Sequence, residues 1–395
     1  MVLSAILPLL LCFSTVECAR QRKPPTTFGL QNIDQLAAKG NYSVTNYEVI
    51  TEDGYSLWIF RIGNNTGPPV LMQHGIMVAA DQWITRGPKR DLAFMLLEEG
   101  FDVWLSNQRG TIFNQRHLKY SKFDPRFWNF SFHESGYYDI SAVIDFILAI
   151  RGKEKLFYIG HSLGTTVFLV MASTRPEYND KIRAAVLLSP IAYPPDLDEM
   201  TPPLQLAIKN ADFLYFILSL TGQLEFGHRN AFNVFALREF CTRLNFLREI
   251  CLDIAMDAAG EHRSNLDKEE WDNFLPFYGA GTSLKTLRHI GQVYASGEFK
   301  QFDYGKRMNL KKYGNPRPPD YPLDRVTAPV AMYWGYNDPL LSVKSVEKLL
   351  SALPNVLYSK PVDDPLFNHI DMCLGNNSNI VLFPDIINQL KSLSV

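Results

Sequence analysis

Three side chains far apart in the chain have the types and order needed to cleave an acyl bond: Ser162, Asp338 and His369. Ser162 is the middle residue of Gly160-His161-Ser162-Leu163-Gly164. A serine hydroxyl is a weak nucleophile until a base takes its proton, so the backbone must push it out toward a histidine. The flanking residues suit that task. Leu156 to Ile159 is a short apolar run that fits a buried strand, and from Thr165 onward small and apolar residues fit a helix. Glycines two residues before and after the serine remove side chains that would collide across a strained strand-to-helix turn. The first amides of the following helix would face the oxyanion formed when the serine attacks a carbonyl.

The partners follow from chain order. Where such an elbow is used, nucleophile, acid and histidine appear in that sequence. Of the eight histidines, only His369 comes late enough. It lies in Phe367-Asn368-His369-Ile370-Asp371, a polar loop before the last helix, as a mobile base requires. The acid belongs after the penultimate strand, where Met332-Tyr333-Trp334 runs into Gly335-Tyr336-Asn337-Asp338-Pro339. Asp338 would fix the histidine tautomer and stabilise the imidazolium. Its Asp-Pro context also suits a plain turn. Asp363 and Asp364 compete, but they sit too near His369 to occupy a separate strand end. For the oxyanion, the backbone N–H of Leu163 is one donor. The loop Gln73-His74-Gly75-Ile76 offers the other at Ile76, unless His74-Gly75 is only a turn.

These residues need a large framework. The 395 residues suffice for one α/β domain with an insertion, and 46% are hydrophobic. A net charge of −2 gives no electrostatic reason to expect nucleic acid. No His, Cys or acidic cluster has metal-ligand spacing, so neither metal nor cofactor is called for.

Val2 to Phe13 is an apolar run of signal-peptide length followed by small residues, so residues 1–18 are expected to be removed after Cys18. Four N-x-S/T sequons, at Asn41, Asn64, Asn129 and Asn376, fit secretory passage, although the aromatic surroundings of Asn129 predict burial. Cys241 and Cys251 are close enough to bridge in an oxidising compartment, which would leave Cys373 as a buried free thiol.

Along the chain, Tyr47–Ile50 and Leu57–Ile62 read as strands joined at Asp53-Gly54. Val70–Met72 and Asp102–Ser106 follow, with a helix from Leu92 between them. Tyr137 to Ile150 has helical spacing and leads to the elbow strand, and Ala184–Ser189 is the sixth strand. From residue 190 to 325 helical segments dominate, several strongly apolar, including Phe213-Leu214-Tyr215-Phe216-Ile217-Leu218. Strands resume at Pro329–Trp334 and Val356–Ser359. The pattern predicts an eight-stranded, mostly parallel sheet with a helical cap inserted after the sixth strand, the α/β-hydrolase fold. The core would then comprise residues 19–189 and 326–395.

Seven segments also resemble a known family. EDGY in the early hairpin, QHGI, NQRG, FWNFSFHESGYYD, GHSLGTT, GYNDP and FNHIDM are similar, in order and spacing, to the acid lipases, the group of gastric and lysosomal acid lipases and their insect relatives. The resemblance runs from about Phe28 to Leu390. It implies a secreted or lysosomal enzyme acting on neutral-lipid esters, with nucleophile, acid and base at Ser162, Asp338 and His369. It also implies oxyanion amides at Leu163 and Ile76 and a cap disulfide between Cys241 and Cys251. The chain departs from the family at Leu163, where glutamine is usual, at NQRGTIFN, and at Ala255-Met256-Asp257, where Cys-Gly-Phe is usual.

The sequence therefore predicts a serine lipase that works through an acyl-enzyme at an oil–water or membrane interface, with no obligate protein partner. A lipid-binding or storage protein on the same fold, and a soluble carboxylesterase or acyltransferase, are the competing functions.

Overall fold

The computed structural model describes residues 28–266 and 268–394, so the signal segment and its cleavage point lie outside the described residues. The chain opens on a hairpin of β1 (Val44–Ile50) and β2 (Tyr55–Ile62), turning at Asp53-Gly54 as the sequence indicates. There follow β3 (Pro69–Gln73), β4 (Asp102–Ser106), β5 (Arg116–His117), β6 (Leu156–His161) and β7 (Ile182–Leu188). Two-residue strands β8 (Glu225–Phe226) and β9 (Thr282–Ser283) form a small separate pair, before β10 (Val330–Trp334) and β11 (Val356–Pro361).

The main sheet runs β1-β2-β4-β3-β6-β7-β10-β11, with β2 antiparallel to both neighbours and every later pair parallel. These are the eight expected strands. A ninth, β5, pairs antiparallel with the start of β2 and makes the insertion point the seventh strand of the chain. Two residues carry no readable periodicity, so the sequence did not announce it. Both faces of the sheet are buried, which is why its parallel strands read as continuous apolar runs rather than alternating ones. Phe157 and Ile159 of β6 enter one core layer and Leu156 and Tyr158 the other.

The helix read from Tyr137 begins differently. A π-helical turn, Ser135–Ile140, precedes the α-helix Ser141–Arg151. The wide turn carries Asp139, whose carboxylate takes the buried Arg109 guanidinium at 2.7 Å. Arg109 also reaches Asp53 at 2.6 Å and lies 4.0 Å above the Tyr55 ring. Thus EDGY, NQRG and ESGYYD meet at one buried ion-pair node, and their task is to hold the hairpin, the loop after β4 and the π-helical turn together.

Between β7 and β10 the chain is mainly helical, including Pro202–Lys209, Ala211–Leu220, Ala231–Arg238, Asn245–Ala259 and Leu284–Ser296. Cys241 and Cys251 are disulfide-bonded within this segment, and Cys373 is free and buried. Arg229 anchors the segment to the core through a buried ion pair with Asp81 at 2.6 Å. Asn41, Asn64 and Asn376 are exposed. Asn129 is exposed as well, against the expectation of burial: its aromatic neighbours Trp128 and Phe130 turn inward while its own amide oxygen meets Lys285 Nζ at 3.1 Å.

Candidate active site

Ser162 follows the last residue of β6 and precedes the helix Leu163–Thr174. Its backbone has φ 54° and ψ −121°, a conformation that L-residues rarely adopt and that costs of order 1–3 kcal/mol. The turn is held by Ser162 N–H donating to the Leu188 carbonyl at 3.0 Å and by Thr165 N–H donating to the Ser162 carbonyl at 2.8 Å. The flanking glycines are sterically required: a Cβ on Gly160 would stand 2.7 Å from the Gly164 carbonyl oxygen, and one on Gly164 would overlap the Gln73 carbonyl. Leu163 is the first residue of the helix, so its N–H has no partner within it.

The loop after β3 lies against this turn. A Cβ on Gly75 would be 3.2 Å from Ser162 Cβ. His74 donates from Nδ1 to the Gly75 carbonyl at 2.7 Å, and its Nε2 accepts the Gln108 N–H at 3.1 Å, which sets its tautomer. Since the peptide is planar and trans, tying down the Gly75 carbonyl directs the Ile76 N–H to the opposite side. Burial lowers the His74 pKa to about 4, so the ring stays neutral in this role over most of the acid range.

His369 and Asp338 are brought together although they are 31 residues apart. The Nδ1–H of His369 donates to Asp338 Oδ2 at 2.7 Å, leaving Nε2 as the lone-pair nitrogen, and Asp338 Oδ1 accepts the Leu340 N–H at 2.9 Å. Asp338 is buried, whereas Asp364 spends its oxygens on the Leu366 N–H and the Asn377 amide.

Two residues that sequence reasoning passed over connect these parts. Gln82 accepts the Gly75 N–H on Oε1 at 3.4 Å and donates from Nε2 to His161 Nδ1 at 3.1 Å and to Cys373 Sγ at 2.9 Å. His161 in turn donates from Nε2 to the His369 carbonyl at 3.0 Å. The chain of bonds links the loop bearing Ile76 to the loop bearing His369 by way of His161, the residue before Ser162. Burial pushes the His161 pKa down to about 3, which preserves its accepting nitrogen. His161 stood in the elbow motif and was readable; nothing in the sequence marked Gln82.

Ser162, Leu163 and Ile76 share a cavity of about 390 Å³. Its other walls come from the inserted segment, including Leu214, Tyr215 and Leu218 of the helix Ala211–Leu220 and Leu287 of the helix Leu284–Ser296.

A serine raised on a strand-to-helix turn at the carboxyl edge of a mostly parallel sheet defines an α/β-hydrolase. Comparison with known families agrees: the alpha/beta hydrolase fold family matches residues 68–372, and the partial alpha/beta-hydrolase lipase region matches residues 33–87. The chain belongs to the α/β-hydrolase lipases, a family of carboxylic ester hydrolases. It is 36% identical to Lipase 3 of Drosophila melanogaster, over 89% of this chain and 90% of that one. Identity to gastric triacylglycerol lipase of Homo sapiens is 33%, over 91% of each chain. Lipase member K of Homo sapiens matches at 33% over 90% of each. Among solved structures, a thermophilic esterase from Thermogutta terrifontis shares the fold, with a TM-score of 0.51 and 14% identity over 89% of this chain and 100% of that one.

Proposed function

We propose that the chain is a triacylglycerol or sterol-ester lipase whose nucleophile, base and acid are Ser162, His369 and Asp338. Ser162 Oγ attacks the ester carbonyl carbon while His369 Nε2 takes its proton, and the N–H groups of Leu163 and Ile76 hold the oxyanion. Collapse expels the alcohol, which receives the proton from His369, and water then releases the fatty acid from the acyl-serine by the same route. The substrate class is supported by the relatives, which include gastric triacylglycerol lipases.

The observation that carries the reading is the two-sided helix Ala211–Leu220. None of its residues is buried. Tyr215 and Leu218 line the cavity beside Ser162, Leu214 lines it while remaining 46% exposed, and Phe213 is 62% exposed, Phe216 57% and Leu220 69%. Phe232, Phe235 and Phe246 of the same inserted segment are also exposed. So much apolar surface next to an apolar cavity suits docking on lipid, with the acyl chain passing inward. Residues 190–325 then act as a cap on a core of 19–189 and 326–395. A secreted or lysosomal location is supported by the disulfide and by the exposure of all four sequons. Among the described residues no helix is long and apolar enough to cross a membrane.

The test is the initial rate on a short-chain ester as its concentration crosses the solubility limit, with detergent controls. The rate should rise sharply on aggregation, and long-chain esters should be accepted. A smooth saturation curve with no long-chain activity would replace the lipase with a soluble esterase.

A further inference from the structure

The inserted segment does more than roof the cavity: its stretch Ala259–Asn265 is bonded directly to the loop that carries His369. The Ala259 carbonyl accepts the His369 N–H at 3.0 Å, and the Gly260 carbonyl accepts Asn368 Nδ2 at 2.6 Å. His262 donates from Nδ1 to Asp371 Oδ2 at 2.7 Å, and the same oxygen accepts the Asn368 N–H at 3.0 Å. Asp371 closes the turn by donating its own N–H to Asn368 Oδ1 at 2.9 Å. On the acid side, Asn337 Nδ2 donates to the Glu261 carbonyl at 2.8 Å, one residue before Asp338.

Asp371 is wholly buried, with Oδ2 held by His262 and the Asn368 N–H and with the Asn265 amide beside the carboxylate. A carboxylate in that position is costly unless a cationic or donating partner holds it. Of these partners His262 is the one from the inserted segment whose ring N–H meets Oδ2 at 2.7 Å, with a second carboxylate, Asp364, 3.9 Å from its Nε2. Without the imidazole, Asp371 must turn or take up a proton, and the oxygen that fixes the Asn368 peptide moves with it. His369 is the next residue, so the tie on its backbone from the Asn368 side would be lost while those to the Ala259 carbonyl and His161 remain.

We propose that His262 is a positioning residue for His369, reaching it through Asp371 and Asn368, and that the inserted segment is therefore part of the frame of the reaction. The proposal rests on His369 being the base. A simple clamp between two lobes would alter stability and leave turnover on a dissolved substrate alone, whereas a positioning role acts on kcat.

The experiment uses the full purified protein and 4-nitrophenyl butyrate below its solubility limit, so that lipid docking is not read. His262→Phe removes the donor. His262→Gln carries its amide N–H out at the Nε2 position, where Asp371 is out of reach, and is the variant read if His262→Phe does not fold. His262→Asn keeps an N–H at the Nδ1 position. The expected result is a fall in kcat of about fivefold or more for Phe and Gln with KM nearly unchanged, and recovery of most of it by Asn. A smaller fall in kcat, a loss carried by KM, or Asn behaving like Gln would overturn the proposal. His369→Ala separates the two readings: activity retained there removes the base assignment itself, while an inactive His369→Ala beside a fully active His262→Gln removes only the positioning role.

Discussion

Gly335 packs so closely on Phe367 that a Cβ on the glycine would overlap the phenylalanine carbonyl oxygen. The loop that ends in Asp338 and the loop that carries His369 are therefore in backbone contact three and two residues, respectively, before the pair they present. Gly335→Ala should force the two loops apart, costing ~1–3 kcal/mol of stability and at least about tenfold in kcat, because overpacking at a backbone contact is relieved only by movement. Thermal unfolding and steady-state kinetics would check it, and a variant with wild-type turnover would show that the close approach is incidental.

Asp338→Asn should leave the fold intact and lower turnover by on the order of 10⁴, since an amide nitrogen facing His369 Nδ1 selects the wrong tautomer. Asp364→Asn should stay within a few-fold of the wild type, as its oxygens serve the Leu366 and Asn377 groups. The reverse ranking would move the acid to Asp364.

Much of this frame was legible. The eight long strands announced themselves because each is a run of apolar residues bounded by turn formers, and the elbow did so because glycines must flank the serine. Chain order then left one histidine. What stayed hidden depends on contacts between remote segments. β5 is two residues long, the π-helical turn at Ser135–Ile140 differs from an α-helix by one residue per turn, and the partnership of His262 with Asp371 spans 109 residues. The run at Phe213–Leu218 read as apolar all round, and only the fold sorts it into Tyr215 and Leu218 toward the cavity, Phe213 and Phe216 toward the exterior, and Leu214 at the boundary.

The bonds from Gly75 through Gln82 and His161 to the His369 carbonyl predict coupled effects. Gln82→Glu loses the donor to His161, and His161→Phe loses both of its ring bonds. Each should lower kcat by about tenfold, and the double variant should cost well under the product of the two, as members of one network are not additive. Full additivity in kcat would mean that the two side chains act separately.

Stability should fall steadily as the solution is acidified from neutral pH. His74, with a pKa of about 4, and His161 and His289, at about 3, are held neutral by burial, so they take up protons more readily in the unfolded chain. Their contribution is present above about pH 6.5 and is lost as pH falls toward those values. Asp91 and Asp139 run the other way: burial raises each to about 6, so the stability they contribute is full below the unfolded value near 3.9 and is lost as pH rises through 6. Between about pH 6 and 4 the two aspartates offset part of the loss carried by the three histidines, so stability falls more gently than the histidines alone would make it. Below about pH 4 the aspartates no longer compensate, but the histidines now begin to take up protons in the folded state as well, so the loss continues without steepening. Unfolding temperature measured from pH 7 to 3 would show this shape, and a stability maximum near pH 4 would contradict it.

The most direct test of the central claim is turnover of a dissolved short-chain ester by the purified protein and its Ser162→Ala variant, with folding of both verified by circular dichroism. If Ser162 is the nucleophile, the variant should lose several orders of magnitude in kcat, on the order of 10⁶ where comparable serine enzymes set the scale, while its unfolding temperature is nearly unchanged. Retention of more than a few per cent of wild-type turnover by the folded variant would contradict the account.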